Sequence, residues 1–265
     1  MTAAPDMDSY APFGVGTVIS DTFSIFFRKL HLVILLGFIP ALIDVILNAY
    51  TVGNQQDAVP GQDFDGVGFA MTLTVTLLIS LVATAITSAM VIQLSYDTKL
   101  GRSAQIGRYF SVAISNLPAI AILSIASGIM IMIASIFLLV PGIWLYAVFL
   151  VLVPAIVIDK AGFSALGRSA ELTKEYRWPI IGTLILIFLC VILFSAVVGF
   201  VFALIPGGFS PALETSPTFG PWVLTETVLN AIAYGWTSVA VAMVFARLKE
   251  IKEGVSVSDL VDVFK

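Results

Sequence analysis

Two pairs of polar residues interrupt otherwise apolar stretches of this sequence. Asp44 and Asn48 sit one helical turn apart in one run, and Glu226 and Asn230 repeat that spacing near the start of another. By helical rise Asp44 lies about 20 Å into its run, toward the far third of a bilayer. An acid at that depth is costly and by default suggests function. No Lys or Arg falls on that half of the runs, so each acid is protonated, reaches water or holds a cation. Two readings follow. Either both acids lie near enough to the surface to be wet or to bond to neighbours, or they form a proton or cation site that includes Tyr234.

Arg28, Lys29, Arg102, Arg108, Arg168, Lys174 and Arg177 form a second candidate set. Basic residues beside membrane spans attract anionic headgroups by ~1 kcal/mol per charge. The same charges would also serve simply to orient the spans. Glu171 and Glu175 dilute the set and could pair with neighbours at helical spacing. A third candidate, Gly162-Phe-Ser-Ala-Leu-Gly167-Arg168-Ser169, imitates a phosphate-binding loop. It has Arg where that loop needs Lys, and it follows an apolar helical run where the loop needs a strand. Nucleotide binding is not expected. With His31 the one histidine and Cys190 the one cysteine, most zinc sites, histidine triads and disulfide frameworks are excluded. No metal, cofactor or catalytic residue is expected.

The elements that must position these residues are membrane helices. Of 265 residues, 59% are hydrophobic and 11% charged, and the mean hydropathy is +1.04. Soluble domains are about 25% charged. The net charge of −4 argues against nucleic acid as a partner. Met1–Tyr10 carries Asp6 and Asp8 without Lys or Arg, so no cleaved secretory signal is expected. Six apolar runs stand at about 31–50, 69–95, 118–140, 143–158, 179–205 and 222–246. The fourth spans only about 24 Å. Pro141-Gly142 separates it from the third, so the two form a tight hairpin that either crosses or re-enters. With six spans, all thirteen Lys and Arg fall on one side. The positive-inside rule then places both termini in the cytoplasm. Trp144, Trp178, Trp222 and Tyr50 fall at expected interfaces, and Pro40 and Pro154 are candidate kinks.

Short amphipathic segments precede or follow the spans. Ile19, Phe23, Phe26, Phe27 and Leu30 form one stripe, and Ile106, Tyr109, Phe110, Ala113 and Ile114 another. Phe163, Leu166, Ala170 and Thr173 make a third within 162–177. Val257, Leu260, Val261 and Phe264 make a fourth, opened by Ser256 and Asp259. Such helices lie in the membrane interface. Lys99-Leu-Gly101, Lys160-Ala-Gly162 and Lys252-Glu-Gly254 each end a span and open such a segment. Pro-Gly at 60–61, 141–142 and 206–207 marks the opposite connections. The expectation is one all-α integral membrane domain over 1–265 with a three-fold repeat. The repeats cover about 14–100, 101–161 and 162–253, followed by a terminal amphipathic helix at 254–265. Ser80, Thr84 and Ser88, with Ser124, Ser127 and Gly128, are expected to pack helices closely.

The stretch LLVPGIWLYAVFLVLVPAIVIDKAGFSALGRSAELTKEYRWPIIG (138–182) resembles the core of the glycerophosphodiester phosphodiesterase membrane-domain family. So does MVFARLKEIKEGVSVSDLVDVF (243–264). The resemblance extends to related bacterial inner-membrane proteins. It implies a six-span helical domain and a bacterial source. In the named enzymes a separate soluble barrel carries the metal-dependent activity. This chain has no room for that barrel and lacks its His-Arg and paired-acid pattern, so the resemblance implies architecture and not catalysis. The expected function is non-catalytic: contact with anionic membrane lipid or a partner through the interfacial helices. The alternative is a small transporter or channel with Asp44 and Glu226 near its outer mouth.

Overall fold

The computed structural model describes residues 13–56, 66–204 and 221–254. Every regular element among them is helical. The order is α1 (Val15–Arg28), α2 (Leu30–Gln56), α3 (Gly66–Lys99), α4 (Ile106–Ser115), α5 (Leu117–Phe137), α6 (Leu139–Phe149) and α7 (Leu152–Val157). A single 3-10 turn (Gly162–Ser164) follows, then α8 (Ala165–Thr173), α9 (Arg177–Ala203) and α10 (Pro221–Glu253). Six stretches are long and apolar enough to cross a bilayer: one each in α2, α3, α5, α9 and α10, and one from α6 and α7 together. The chain is a multi-pass helical membrane protein. The expected terminal helix at 254–265 and the Pro-Gly pairs at 60–61 and 206–207 lie outside the described residues.

Helix ends follow local chemistry. Gly101 adopts φ 69°, the left-handed region that favours glycine. The Gly101 N–H then bonds the Thr98 carbonyl at 3.1 Å, and the Arg102 N–H bonds the Asp97 carbonyl at 2.8 Å. This two-bond closure stops α3 and turns the chain toward α4.

The third and fourth runs part three residues earlier than the Pro-Gly pair suggested. Leu138 is extended (φ −162°, ψ 141°), and Pro141 falls within the first turn of α6. Backbone N–H groups there have no helical partner, so proline costs no bond. Gly142 serves packing instead: a Cβ on it would meet Ser135 Oγ at 2.0 Å. The candidate kink at Pro154 is realised as a break between α6 and α7. A proline has no N–H for the carbonyl four residues back and crowds it, and the helix parts at Leu150–Val151. The Ser169 hydroxyl of α8 donates to the Val148 carbonyl at 2.7 Å, supplying a donor where the α6 ladder ends.

The third amphipathic segment is shorter than the expected 162–177. α8 stops at Thr173, Glu175 adopts φ 76°, and Arg177 opens α9. Its buried stripe is Ala165, Ser169, Leu172 and Thr173, of which only Thr173 was expected. Phe163 is exposed. In α1 the buried face is Val18, Thr22, Ile25 and Phe26, while Phe23 and Phe27 stay partly exposed. In α4, Tyr109 and Ala113 are buried, whereas Ile106, Phe110 and Ile114 face outward. These helices therefore divide their apolar residues between the protein and its surroundings.

α2 packs extensively on α10, and glycine makes that contact close. A Cβ on Gly37 would stand 2.7 Å from the Ala231 carbonyl oxygen, and one on Gly235 would stand 2.5 Å from Val33 Cγ1. The register, rising in α2 as it falls in α10, shows that the two helices run antiparallel. Trp236 stands beside this seam, 1% exposed. The Phe23 and Phe26 rings meet it at centroid distances of 4.5 and 4.7 Å.

Candidate functional site

Most charged side chains gather at one end of the bundle, where the ends of α3, α7 and α10 meet α1, α4 and α8. Lys99 bonds Asp21 at 2.7 Å and approaches Glu250 at 3.4 Å; Glu250 also holds Arg247 at 3.2 Å. Arg247 Nε in turn donates to the Phe13 carbonyl at 3.0 Å. Asp159 accepts from Arg168 Nε at 2.9 Å and also binds Lys249. Arg168 reaches Glu253 as well. Glu175 binds Lys252 at 2.8 Å, which holds the Glu175 carboxyl below its ordinary value. Burial would lower the Arg168 guanidinium, but its bonds to Asp159 and Glu253 outweigh that and raise it.

The basic candidates thus differ in surroundings. Arg168 is held within the protein by two carboxylates. Arg102 and Arg108 share one carboxylate, Asp97, at 3.6 and 2.6 Å. The Tyr109 hydroxyl also donates to Asp97 at 2.9 Å, and burial together with this bond raises the Tyr109 phenol. Arg28, Lys29 and Lys174 make no ion pair among the described residues, and Arg28 and Lys174 are exposed. The Arg177 guanidinium stacks 4.0 Å over the Trp144 ring. That contact corrects the expectation for Trp144. The indole lies beside the start of α9, at the basic end, and not at the opposite interface. The cause is the break after α6, which lets that helix lean onto α8 and α9.

The intramembrane acids also differ. The Tyr234 hydroxyl donates to Asp44 Oδ2 at 2.8 Å. In an antiparallel pair each side chain leans toward its own helix N-terminus, so Asp44 and Tyr234 lean toward each other. Glu226 is exposed and has no ion pair among the described residues, and Asn230 is half-buried. The structure therefore joins Asp44 to Tyr234 and not to Glu226. The Asn48 side chain lies outside the described residues.

Tyr234 also borders a chamber of about 270 Å³ between α3, α5, α6–α7 and α10. Its wall includes Thr84, Ser88, Ser124, Ser127, Thr237 and Ser238. Ser88 and Ser127 bond back to their own helices. The hydroxyls of Thr84, Ser124, Thr237 and Ser238 have no hydrogen-bond partner among the described residues. The hydroxyl spacing was legible in the sequence. Its use was not: these residues line a void instead of closing the helices on one another.

The segment that imitates a phosphate loop forms the 3-10 turn and α8 after the helical α7. Among the described residues, no group of three or more His, Cys, Asp or Glu could hold a metal ion. No family model matches the chain, and neither a curated protein nor a solved structure matches it.

Proposed function

We propose that this chain is a non-catalytic integral protein of a bacterial inner membrane, holding both termini in the cytoplasm and contacting anionic lipid through its interfacial helices. One observation carries the reading. At the basic end, cations that internal carboxylates among the described residues leave wholly (Arg28, Lys29) or partly (Arg102 and Arg108, sharing Asp97) uncompensated lie on or beside helices with outward-facing apolar side chains. Arg28 and Lys29 stand beside Phe23 and Phe27, and Arg102 and Arg108 beside Phe110 and Ile114. Apolar contact with acyl chains and cationic contact with phosphates are the two requirements of an interfacial helix.

The three-fold repeat belongs to this proposal. Gly14, Gly101, Gly162 and Gly254 all adopt positive φ. The first three each precede a short helix at the basic end, and the last three each follow a span, as a repeated unit would require.

The test is native mass spectrometry of gently extracted protein with lipid identification. Retention of an anionic lipid class is expected. Neutralising Arg28, Lys29, Arg102 and Arg108 should reduce it, while Arg168→Gln should mainly lower stability. Retention indifferent to the first four changes would refute the reading.

A second reading, a small transporter or channel, draws on the Asp44–Tyr234 bond beside the hydroxyl-lined chamber. A hydrated path must offer such groups where hydrocarbon offers none. In a Cys190→Ala background, Ser238→Cys would react with a small aqueous thiol reagent, and a cysteine at exposed Leu193 would not. Equal reactivity at the two positions would remove this reading.

A further inference from the structure

Between α2, α3 and α4 runs an apolar groove of about 880 Å³. Leu36 and Ile43 line it from α2, Val82 and Met90 from α3, and Phe110 from α4. Along α3 the lining extends from Leu78 to Met90, about 18 Å at 1.5 Å per residue. A hydrocarbon core is ~30 Å thick, so the groove has the depth of one leaflet. It closes against α4 at the end of the bundle where the charges gather. Gly107 lines that end, with open space where a Cβ would stand, and Arg108 follows it in sequence.

The charge beside the groove is unbalanced. Arg102 and Arg108 have side chains 54% and 51% exposed, yet they share the single Asp97 carboxylate, which is 7% exposed. Two guanidinium groups on one carboxylate leave one positive charge uncompensated. Guanidinium donors favour bidentate contact with phosphate. A slot one leaflet deep, apolar along its length and cationic at one end only, matches one acyl chain and the phosphate of a lipid. A second copy of the chain or an added helix would have no reason to match a single leaflet.

We propose that the α2–α3–α4 groove is a specific anionic phospholipid site, with one acyl chain along α3 and the phosphate against Arg102 and Arg108. This inference rests on the lipid-contact reading and gives it a location.

The experiment uses the full chain in nanodiscs with phosphatidylglycerol carrying a photoactivatable group on one acyl chain. Peptide mapping should place crosslinks within 78–90 and 106–110, and a matched phosphatidylcholine probe should label these peptides much less. Ile79 lines the groove and is 43% exposed, so Ile79→Trp can block the slot without disturbing the core. Ala83→Phe blocks it from the adjacent wall. Each blocking variant should suppress labelling, and Arg102→Gln with Arg108→Gln should lower it roughly fivefold or more. Equal labelling by the two lipids, or labelling unchanged in both blocked variants, overturns the site. Phosphatidylglycerol retained through Arg28 and Lys29 while these peptides stay unlabelled would overturn the groove and leave the general reading standing. No retained anionic lipid at all would overturn both.

Discussion

Replacing Gly37 by alanine sets two known effects against each other. Alanine favours a helix interior over glycine by ~1 kcal/mol. At Gly37, however, the added Cβ would lie 2.7 Å from the Ala231 carbonyl oxygen. That atom belongs to backbone, so α2 and α10 must part to admit the methyl. Overpacking of this kind costs about 1–3 kcal/mol. Gly128→Ala supplies the control, because its Cβ meets nothing within 4 Å and only the propensity gain applies. The two variants should therefore differ by roughly 1–3 kcal/mol, or about 2–12 °C in Tm for a chain of this size. Thermal unfolding followed by tryptophan fluorescence would read this, since Trp236 stands beside the same helix pair, 1% exposed. A Gly37→Ala protein as stable as Gly128→Ala would show that the α2–α10 seam is looser than described, and the argument from close approach would fail.

Asp159→Asn weakens the contacts to Arg168 and Lys249 at once and should cost about 1–3 kcal/mol, between the values for exposed and for broken buried pairs. Asp21→Asn, at a 35% exposed side chain, should cost less in chemical or thermal unfolding. Burial and the Asp97 bond raise the Tyr109 phenol, so the folded state holds that proton more tightly. Its contribution to stability is complete below about pH 10 and is lost as pH rises through the folded-state value. Tyr109→Phe should therefore remove one phenol's share of the late phenolate absorbance, and an unchanged late amplitude would assign it elsewhere. Because α6 leans onto α8 and Arg177, the turn at Leu138 should not reach the surface opposite the charges. In a Cys190→Ala background a thiol at 138 should resist impermeant reagent from that side, and rapid labelling there would restore a full crossing.

The apolar runs were legible because the bilayer demands a length that few other structures require. The expected starts at 31, 69, 118, 179 and 222 fall within three residues of Leu30, Gly66, Leu117, Arg177 and Pro221. The fourth run was legible as short and, through Pro154, as a candidate kink; that the helix parts outright, with the Ser169 hydroxyl of α8 on the Val148 carbonyl at the end of α6, was not. For α1, one stripe of aromatics was visible, yet the helix buries a neighbouring stripe. A helix lying between protein and lipid has two apolar faces, and periodicity alone does not say which is which. Asp44 and Tyr234 were legible as candidates, since both are polar groups in long apolar runs. The division of the basic residues was not. Arg168 and Glu253 are 85 positions apart, and only the folded bundle decides that Arg168 is neutralised internally while Arg28 is not.

The ion pairs at the basic end also have an order in time. Lys99 adds Glu250 to Asp21, Asp159 adds Lys249 to Arg168, Arg168 adds Glu253 to Asp159, and Glu175 binds Lys252. In each case α10, the latest of these elements to be synthesised, supplies the partner. The first spanning helix, α2, waits for the same segment, since Gly37 is fitted to Ala231. At about 5–20 residues per second, the roughly 200 residues between the end of α2 and the end of α10 take about 10–40 s to appear. Until then Lys99 has Asp21 and Arg168 has Asp159, but Glu175 lacks Lys252 and the face of α2 fitted to Ala231 stays open. Insertion of α10 is thus the event that completes assembly. A chain halted before it would present cellular quality control with an unclosed bundle, however well its earlier apolar helices had inserted.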